Sequence, residues 1–190
     1  SGNKKFNVPI IMERLSKYEN AEFFWNNDSS SEKEMFNEIM KNKKGEIFYN
    51  KDIGELRGYN LGLKKCSGDY IIISQEDLIP PDYDWVSEVL NIFKKYPKVG
   101  MIGLKDGSTH LYMQTQNQMK EKFNFYTKIH YSGEISLGPW IIKREVYEKV
   151  GLLDECYLHP NHPHIGNGLG VDADYAARCW LNGYHVIHYH

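Results

Sequence analysis

The sequence predicts a single α/β domain of 190 residues, a mostly parallel sheet flanked by helices. Three observations predict it. Short, continuous apolar runs recur along the chain, the pattern of strands covered on both faces. Segments with apolar residues at helical spacing separate those runs. A hydrophobic content of 41% over this length is enough for one full core.

Taken in order, residues 21–25 (AEFFW) form the first strand. Ser31 and Glu34 have the spacing of a capping box, which opens a helix running to about Met40. A strand follows at 46–49 (EIFY). Leu56, Tyr59, Leu63 and Cys66 then repeat at helical spacing and stop at Ser67-Gly68. The run at 70–74 (YIIIS) is a strand, and Trp85, Val89, Leu90 and Phe93 mark a helix ending before Pro97. Strands follow at 99–104 (VGMIGL) and 140–143 (WIIK). Between them, 106–133 is polar and aromatic with weak periodicity, an excursion over the sheet. Ala173, Ala176, Ala177 and Trp180 place a last helix, closed by Asn182-Gly183 before a strand at 185–189 (HVIHY).

Composition excludes several classes of function. The net charge of −2 and the scattered basic residues give no electrostatic footprint for nucleic acid or an anionic membrane. No apolar run is long enough to span a bilayer, and no signal-peptide pattern is visible. Cys66, Cys156 and Cys179 are odd in number and far apart, which argues against a disulfide framework and a zinc site. A reducing, cytoplasmic setting is the expectation. His159, His162 and His164 lie in a Pro/Gly-rich loop without helical or strand register, so they do not make a zinc motif.

Ligands in open α/β sheets bind beyond the carboxyl ends of the strands. Three predicted strands deliver polar residues there: Asn26-Asn27-Asp28-Ser29-Ser30, Asn50-Lys51-Asp52 and Gln75-Glu76-Asp77. Asn, Asp and Ser are also ordinary turn and cap residues, and that reading stands beside the functional one. Glu76 and Asp77 are adjacent carboxylates, whose repulsion a cation relieves. Mg²⁺-like ions take one or two carboxylates together with substrate phosphates.

These segments resemble the family-2-like glycosyltransferases with the Rossmann-like GT-A fold, over residues 21–189. WNNDSSS is similar to the family's V-N-D-G-S-T, which places Asn27 and Asp28 on its nucleotide-reading pair. NKDIGELRGYNLGLKKCSGDYI is similar to N-x-G-x-x-x-A-x-N-x-G-(x)-A-x-G-D-Y-I, with Gly54, Arg57, Asn60, Gly62, Gly68 and Asp69 on family positions. ISQEDLIPPDYDW resembles the D-x-D segment; Asp77 then holds the metal and Glu76 lies near the ribose, while Gln75 replaces an acid. The family's first strand, ending in a Y-N turn, has no clear counterpart. Residues 6–15 (FNVPIIMERL) resemble the helix that follows it.

Further along, SLGPWIIKREVYEKVGLLDE resembles G-x-x-x-x-x-R-x-x-F-x-x-V-G-G-F-D-E. Gly138 would let the backbone approach the donor sugar, and Trp140 would floor the acceptor site or fill the core. GVDADYAAR resembles E-D-x-D-L-x-x-R, with Val171 in place of Glu. Asp172 falls on the general base, or caps the last helix. Asp174 and Arg178 are spaced as a helical pair. His188 or His190 would supply a further metal ligand near the last strand. The resemblance thus implies residues 1–190 as a catalytic domain. It implies an inverting, hexosyltransferase-like enzyme that uses Mn²⁺ or Mg²⁺ and moves a sugar from a nucleotide, UDP for choice, to a hydroxyl in glycan synthesis. Arg57 and Asn60 join Asp28, Asn27, Glu76 and Gly138 on the donor side. Two other readings share these features: a nucleotidyltransferase, and a non-catalytic module binding a sugar nucleotide or glycan.

Overall fold

A computed structural model describes residues 4–28, 32–104, 129–133, 135, 138–158 and 170–189. Ser31 of the expected capping box, most of the 106–133 excursion, and His159, His162, His164 and His190 lie outside the described residues. The chain packs as two compact units. The first comprises Ser1–Ile71, Gln75–Trp85 and Leu152–Val171; the second comprises Ile72–Ser74, Val86–Gly151 and Asp172–His190.

The first unit opens with helix α1 (Lys4–Leu15), as its resemblance at 6–15 implies. Strand β1 (Phe23–Asp28) pairs in parallel with β2 (Gly45–Asn50), joined by α2 (Lys33–Met40). The register runs from Phe23 opposite Gly45 to Asp28 opposite Asn50. β1 therefore extends past the apolar run, and Asn26, Asn27 and Asp28 are its last three residues rather than the loop after it. Ladder pairing with β2 satisfies their backbone groups, which outweighs the turn preference of Asn and Asp. Helix α2 begins after Glu32, which makes no side-chain cap bond. Val8, Ile11, Met12 and Phe36 are buried, and Trp25 packs on Phe36 at 5.7 Å between ring centroids.

Helix α3 (Glu55–Lys65) follows β2 and buries Leu56, Gly58, Asn60 and Leu63. Its approach to β1 requires a glycine. A Cβ on Gly58 would sit 2.2 Å from Asn26 Nδ2, and Asn26 is itself fixed by a 2.8 Å bond from Asn50 Nδ2 to its Oδ1.

The other strands form a five-stranded sheet in the order β3-β6-β4-β7-β5. They are β3 (Tyr70–Ile73), β4 (Val99–Gly103), β5 (Ile129–Tyr131), β6 (Trp140–Lys143) and β7 (His185–Tyr189). The α/β class is as expected, but the pairing is more mixed than a mostly parallel sheet. β4 runs parallel to β7 and antiparallel to β6, and β5 is antiparallel to β7. The chain leaves β4 at Gly103, returns first as β5 beside β7, and then enters β6 at Trp140, the register partner of Gly103. β5 and β6 both run opposite to the parallel pair β4 and β7 and flank it on its two sides.

All five residues of β4 are buried, whereas Tyr70 and Ile72 of β3 are exposed, so the expectation of covered faces holds for β4 and not for β3. Helix α4 (Trp85–Lys95) buries Val89, Ile92 and Phe93. α5 (Arg144–Val150) follows β6, and α6 (Val171–Leu181) precedes β7. The buried face of α6 is Val171, Tyr175, Ala176 and Cys179; Ala177 and Trp180 are exposed. The expected stripe is turned because the large Tyr175 ring stacks on Trp140 at 5.8 Å. Small alanines cover less apolar area than one tyrosine.

Candidate functional site

In the first unit, Asp28 ends β1 and its carboxylate accepts two backbone N–H groups, from Ile53 to Oδ1 at 3.1 Å and from Gly54 to Oδ2 at 2.9 Å. It thereby holds the turn from β2 into α3. An ionised carboxylate has about four lone-pair sites, so two stay open to a ligand. Asn27 is only 2% exposed, and neither polar atom of its amide makes a hydrogen bond among the described residues.

Arg57 lies in the first turn of α3. Its Nε donates to Glu155 Oε2 at 3.2 Å and its Nη1 to Ile53 O at 3.5 Å. Asn60, one turn on, is a clamp: Nδ2 donates to Leu153 O at 2.9 Å and Glu155 Oε1 at 3.1 Å, and Oδ1 accepts from Leu153 N at 3.0 Å. The expectation that Asn60 touches the nucleotide is corrected here. It is buried, and both its amide donors and its carbonyl oxygen bond residues 153–155. The Asn60 bond first, and then the Arg57 guanidinium, hold the Glu155 carboxyl below its ordinary range despite partial desolvation.

Gln75, Glu76 and Asp77 follow β3 in a turn where Leu78 N donates to Gln75 O at 3.2 Å. Asp77 is exposed. Sequence reasoning missed two neighbours, Glu55 and Tyr59. Gln75 Nε2 donates to Glu55 Oε1 at 2.6 Å, and the Tyr59 hydroxyl donates to the same oxygen. Burial, then Glu55, with Glu76 and Asp77 adding to it, push the Tyr59 hydroxyl well above its usual range. Three carboxylates therefore act on one phenol at this end of α3. The signal in the sequence was the i, i+4 spacing of Glu55 and Tyr59, hidden because Tyr59 also fits the apolar stripe.

In the second unit, Gly103 of β4 is the register partner of both Trp140 on β6 and His188 on β7. Those residues therefore share the carboxyl edge of β4. Gly138, just before β6, is buried with φ of +68°, a backbone state that favours glycine. Trp140 is fully buried and stacked on Tyr175, so the core reading replaces the acceptor floor. His188 is 3% exposed inside β7, opposite His130 with rings 5.2 Å apart. It lies within β7 rather than beyond the last strand.

Asp172 is half-buried in the first turn of α6, where its Oδ1 accepts the N–H of Ala173 at 3.0 Å. Asp174 takes two bonds from Arg178, at 2.9 and 2.7 Å, the structural pair its spacing implies. Arg178 also donates to Val150 O at 3.0 Å and Tyr175 to Gly151 O at 3.1 Å, which staples α6 to the end of α5. Burial pushes the Cys179 thiol up to about 12, leaving it an inert core group. Among the described residues no three His, Cys, Asp or Glu side chains are grouped to hold a metal ion.

The model of glycosyl transferase family 2 matches residues 10–151, about three-quarters of the chain. The chain belongs to this family. Solved structures agree in fold. The mannosyltransferase PcManGT from Pyrobaculum calidifontis, in complex with GDP-Man and Mn²⁺, superposes with a TM-score of 0.63 at 16% identity, over 95% of this chain and 51% of that one. GalNAc-T7 with UDP, GalNAc and Mn²⁺ gives 0.62 at 16% identity, over 89% of this chain and 36% of that one. S. aureus TarS gives 0.63 at 13% identity, over 99% and 55%. At such identities the likeness establishes the GT-A fold, and this family 2 chain spans about half or less of those proteins. No curated protein matches the sequence. No described helix is long and apolar enough to cross a membrane.

Proposed function

We propose that residues 1–190 form the catalytic domain of a divalent-cation-dependent, inverting glycosyltransferase that moves a hexose from a nucleotide, UDP for choice, to a hydroxyl in glycan synthesis. The observation that carries this reading is exposed Asp77 beside Glu76 in the turn after β3, tied to α3 through the Gln75–Glu55 bond, in a chain of glycosyl transferase family 2. The donor set fits a hard divalent cation. Such ions keep oxygen ligands from water and phosphate and need only one or two carboxylates from protein, which Asp77 and Glu76 would supply. Asp77 would hold the ion with Glu76 adjacent, and Mn²⁺ or Mg²⁺ there supplies charge neutralisation for the diphosphate.

The remaining roles fall to the chain's own groups. The open lone pairs of Asp28 accept from the nucleotide, with buried Asn27 behind it on β1. Arg57 bonds Glu155 through Nε in this structure, and its terminal guanidinium N–H groups would serve phosphate. Gly138 keeps space for the sugar. Asp172 accepts the proton of the acceptor hydroxyl as its oxygen bonds the anomeric carbon and the carbon–oxygen bond to the diphosphate breaks. The acceptor oxygen attacks opposite the leaving group, which inverts the anomeric centre. The two similar structures bound to GDP-Man and to UDP support a nucleotide donor and leave the base to experiment.

Calorimetric titration of UDP and GDP, in Mn²⁺ and in EDTA, tests this reading. Tight binding is expected only with Mn²⁺, and Asp77→Asn is expected to abolish that dependence with most of the affinity. Equal affinity in Mn²⁺ and EDTA would remove the cation from the site.

A further inference from the structure

We propose that Arg14 in the last turn of α1, with Lys17 and Tyr18 just after the helix, are positioning residues that hold the Asp77 turn ready for its ligand. The inference rests on the donor-site reading above and adds to it residues more than sixty positions away in sequence. Gln75–Trp85 packs with the first unit, although Ile72–Ser74 before it and Val86 after it belong to the second. The contacts that capture it are specific. Arg14 Nη1 donates to Pro80 O. Lys17 Nζ donates to Asp82 O at 3.1 Å and Tyr83 O at 3.3 Å. The Tyr18 hydroxyl donates to Asp84 Oδ1 at 3.0 Å. At the other end of the segment, Gln75 is tied to Glu55 at 2.6 Å.

Asp77 therefore sits on a turn fastened on both sides to helices of one unit. The fastening has a chemical purpose. Glu76 and Asp77 repel each other, and a free turn would relax by swinging the carboxylates apart into water. Three of the four bonds from Arg14, Lys17 and Tyr18 end on backbone carbonyls, so they fix the course of the main chain whatever side chains the turn carries. Two of the donors are cations, each able to make charge-assisted bonds. They also bring positive charge to a segment that contains Glu76, Asp77, Asp82 and Asp84. Groups that orient a metal ligand without touching the metal commonly alter affinity by roughly 10–100-fold when removed.

The test is a double-mutant cycle with Asp77. Four proteins are compared: the parent, Arg14→Gln/Lys17→Gln/Tyr18→Phe, Asp77→Asn, and the combination. UDP and GDP are titrated in Mn²⁺ and in EDTA, and amide exchange across residues 77–84 is followed in metal-free protein. The triple variant is expected to lose roughly tenfold in Mn²⁺-dependent nucleotide affinity, to keep its affinity in EDTA, and to exchange faster over 77–84. In the Asp77→Asn background the same substitutions are expected to cost nothing further. Arg14→Lys, which keeps a cation in reach of Pro80 O, is expected to retain most of the affinity. Unchanged Mn²⁺-dependent affinity in the triple variant overturns the proposal, as does a loss that persists fully without Asp77. If the triple variant does not fold, Lys17→Gln alone, at an exposed position, carries the same comparison. A parent that binds no nucleotide in a cation-dependent way overturns the donor-site reading itself, and this inference with it.

Discussion

Two aspartates occupy strand and helix ends and do different work. Asp28 is a turn-holding residue first, since both its oxygens are engaged by Ile53 and Gly54 N–H groups. Removing that side chain strands two backbone donors, so the Asp28→Ala protein cannot report on nucleotide binding alone. Among the described residues Asp172 makes a single hydrogen bond, accepting the N–H of the adjacent Ala173. Asparagine at 172 can accept that bond equally well, at the cost of a few tenths of a kcal/mol in charge–dipole energy at the helix start. Asp172→Asn is therefore a clean probe of the proton-accepting role. Turnover with any working donor and acceptor is expected to fall by roughly two to four orders of magnitude, with an almost unchanged melting temperature. Near-normal turnover removes Asp172 from the mechanism. Asp174 then does not inherit the role without first giving up Arg178.

Among the elements, α3 ties together segments of the proposed donor site. Its first turn presents Glu55 and Arg57, its middle holds residues 153–155 through Asn60, and its underside meets β1 at Gly58. Two glycines on this helix separate packing from propensity. Alanine at 58 gains about 1 kcal/mol of helix propensity but drives a methyl to 2.2 Å from Asn26 Nδ2, a side chain fixed by Asn50. Overpacking of that kind costs about 1–3 kcal/mol, so Gly58→Ala is expected to be net destabilising. Alanine at 62 meets only Phe24 Cβ at 3.5 Å, an ordinary contact. Gly62→Ala is expected to be neutral or stabilising by up to about 1 kcal/mol. Urea unfolding of both variants reads the sign directly, and stabilisation by Gly58→Ala would show that α3 can lift from β1.

At the scale of the whole chain, stability is expected to depend on pH through carboxylates that folding favours in their charged form. Glu155 is held low by Asn60 and then Arg57. For Glu22, burial pushes upward, yet the N–H groups of Ser67 and Gly68, the Ser67 hydroxyl and Lys44 together bring the net shift down. A folded-state value below the unfolded one means stability that is present above the ordinary glutamate value of 4.5 and lost as pH falls through the lowered folded values. The melting temperature is accordingly expected to decline as pH drops below about 4.5. Glu22→Gln/Glu155→Gln is expected to melt lower at neutral pH and to lose less across the acid window. Parallel decline in both proteins would show that other groups carry the acid sensitivity.

The α/β class, most of the order of the elements, the family motifs and the placing of Asp28, Asp77 and Asp172 near strand and helix ends were legible in the amino-acid sequence, whereas β5 and α5 were not. Each depends on local spacing: apolar runs, helical periodicity and the few residues that follow them. Tertiary structure decided what those residues touch. Asn60 reads as a donor-site residue until its partner, 93 positions away, takes up its amide. Trp140 reads equally as floor or core until Tyr175 covers it. The antiparallel course of β6, the turned face of α6 and the capture of the Asp77 turn by Arg14, Lys17 and Tyr18 likewise rest on contacts between distant segments. A local pattern fixes which face of an element is apolar, whereas hydrogen-bond partners and strand direction depend on where the chain returns, which no short stretch encodes.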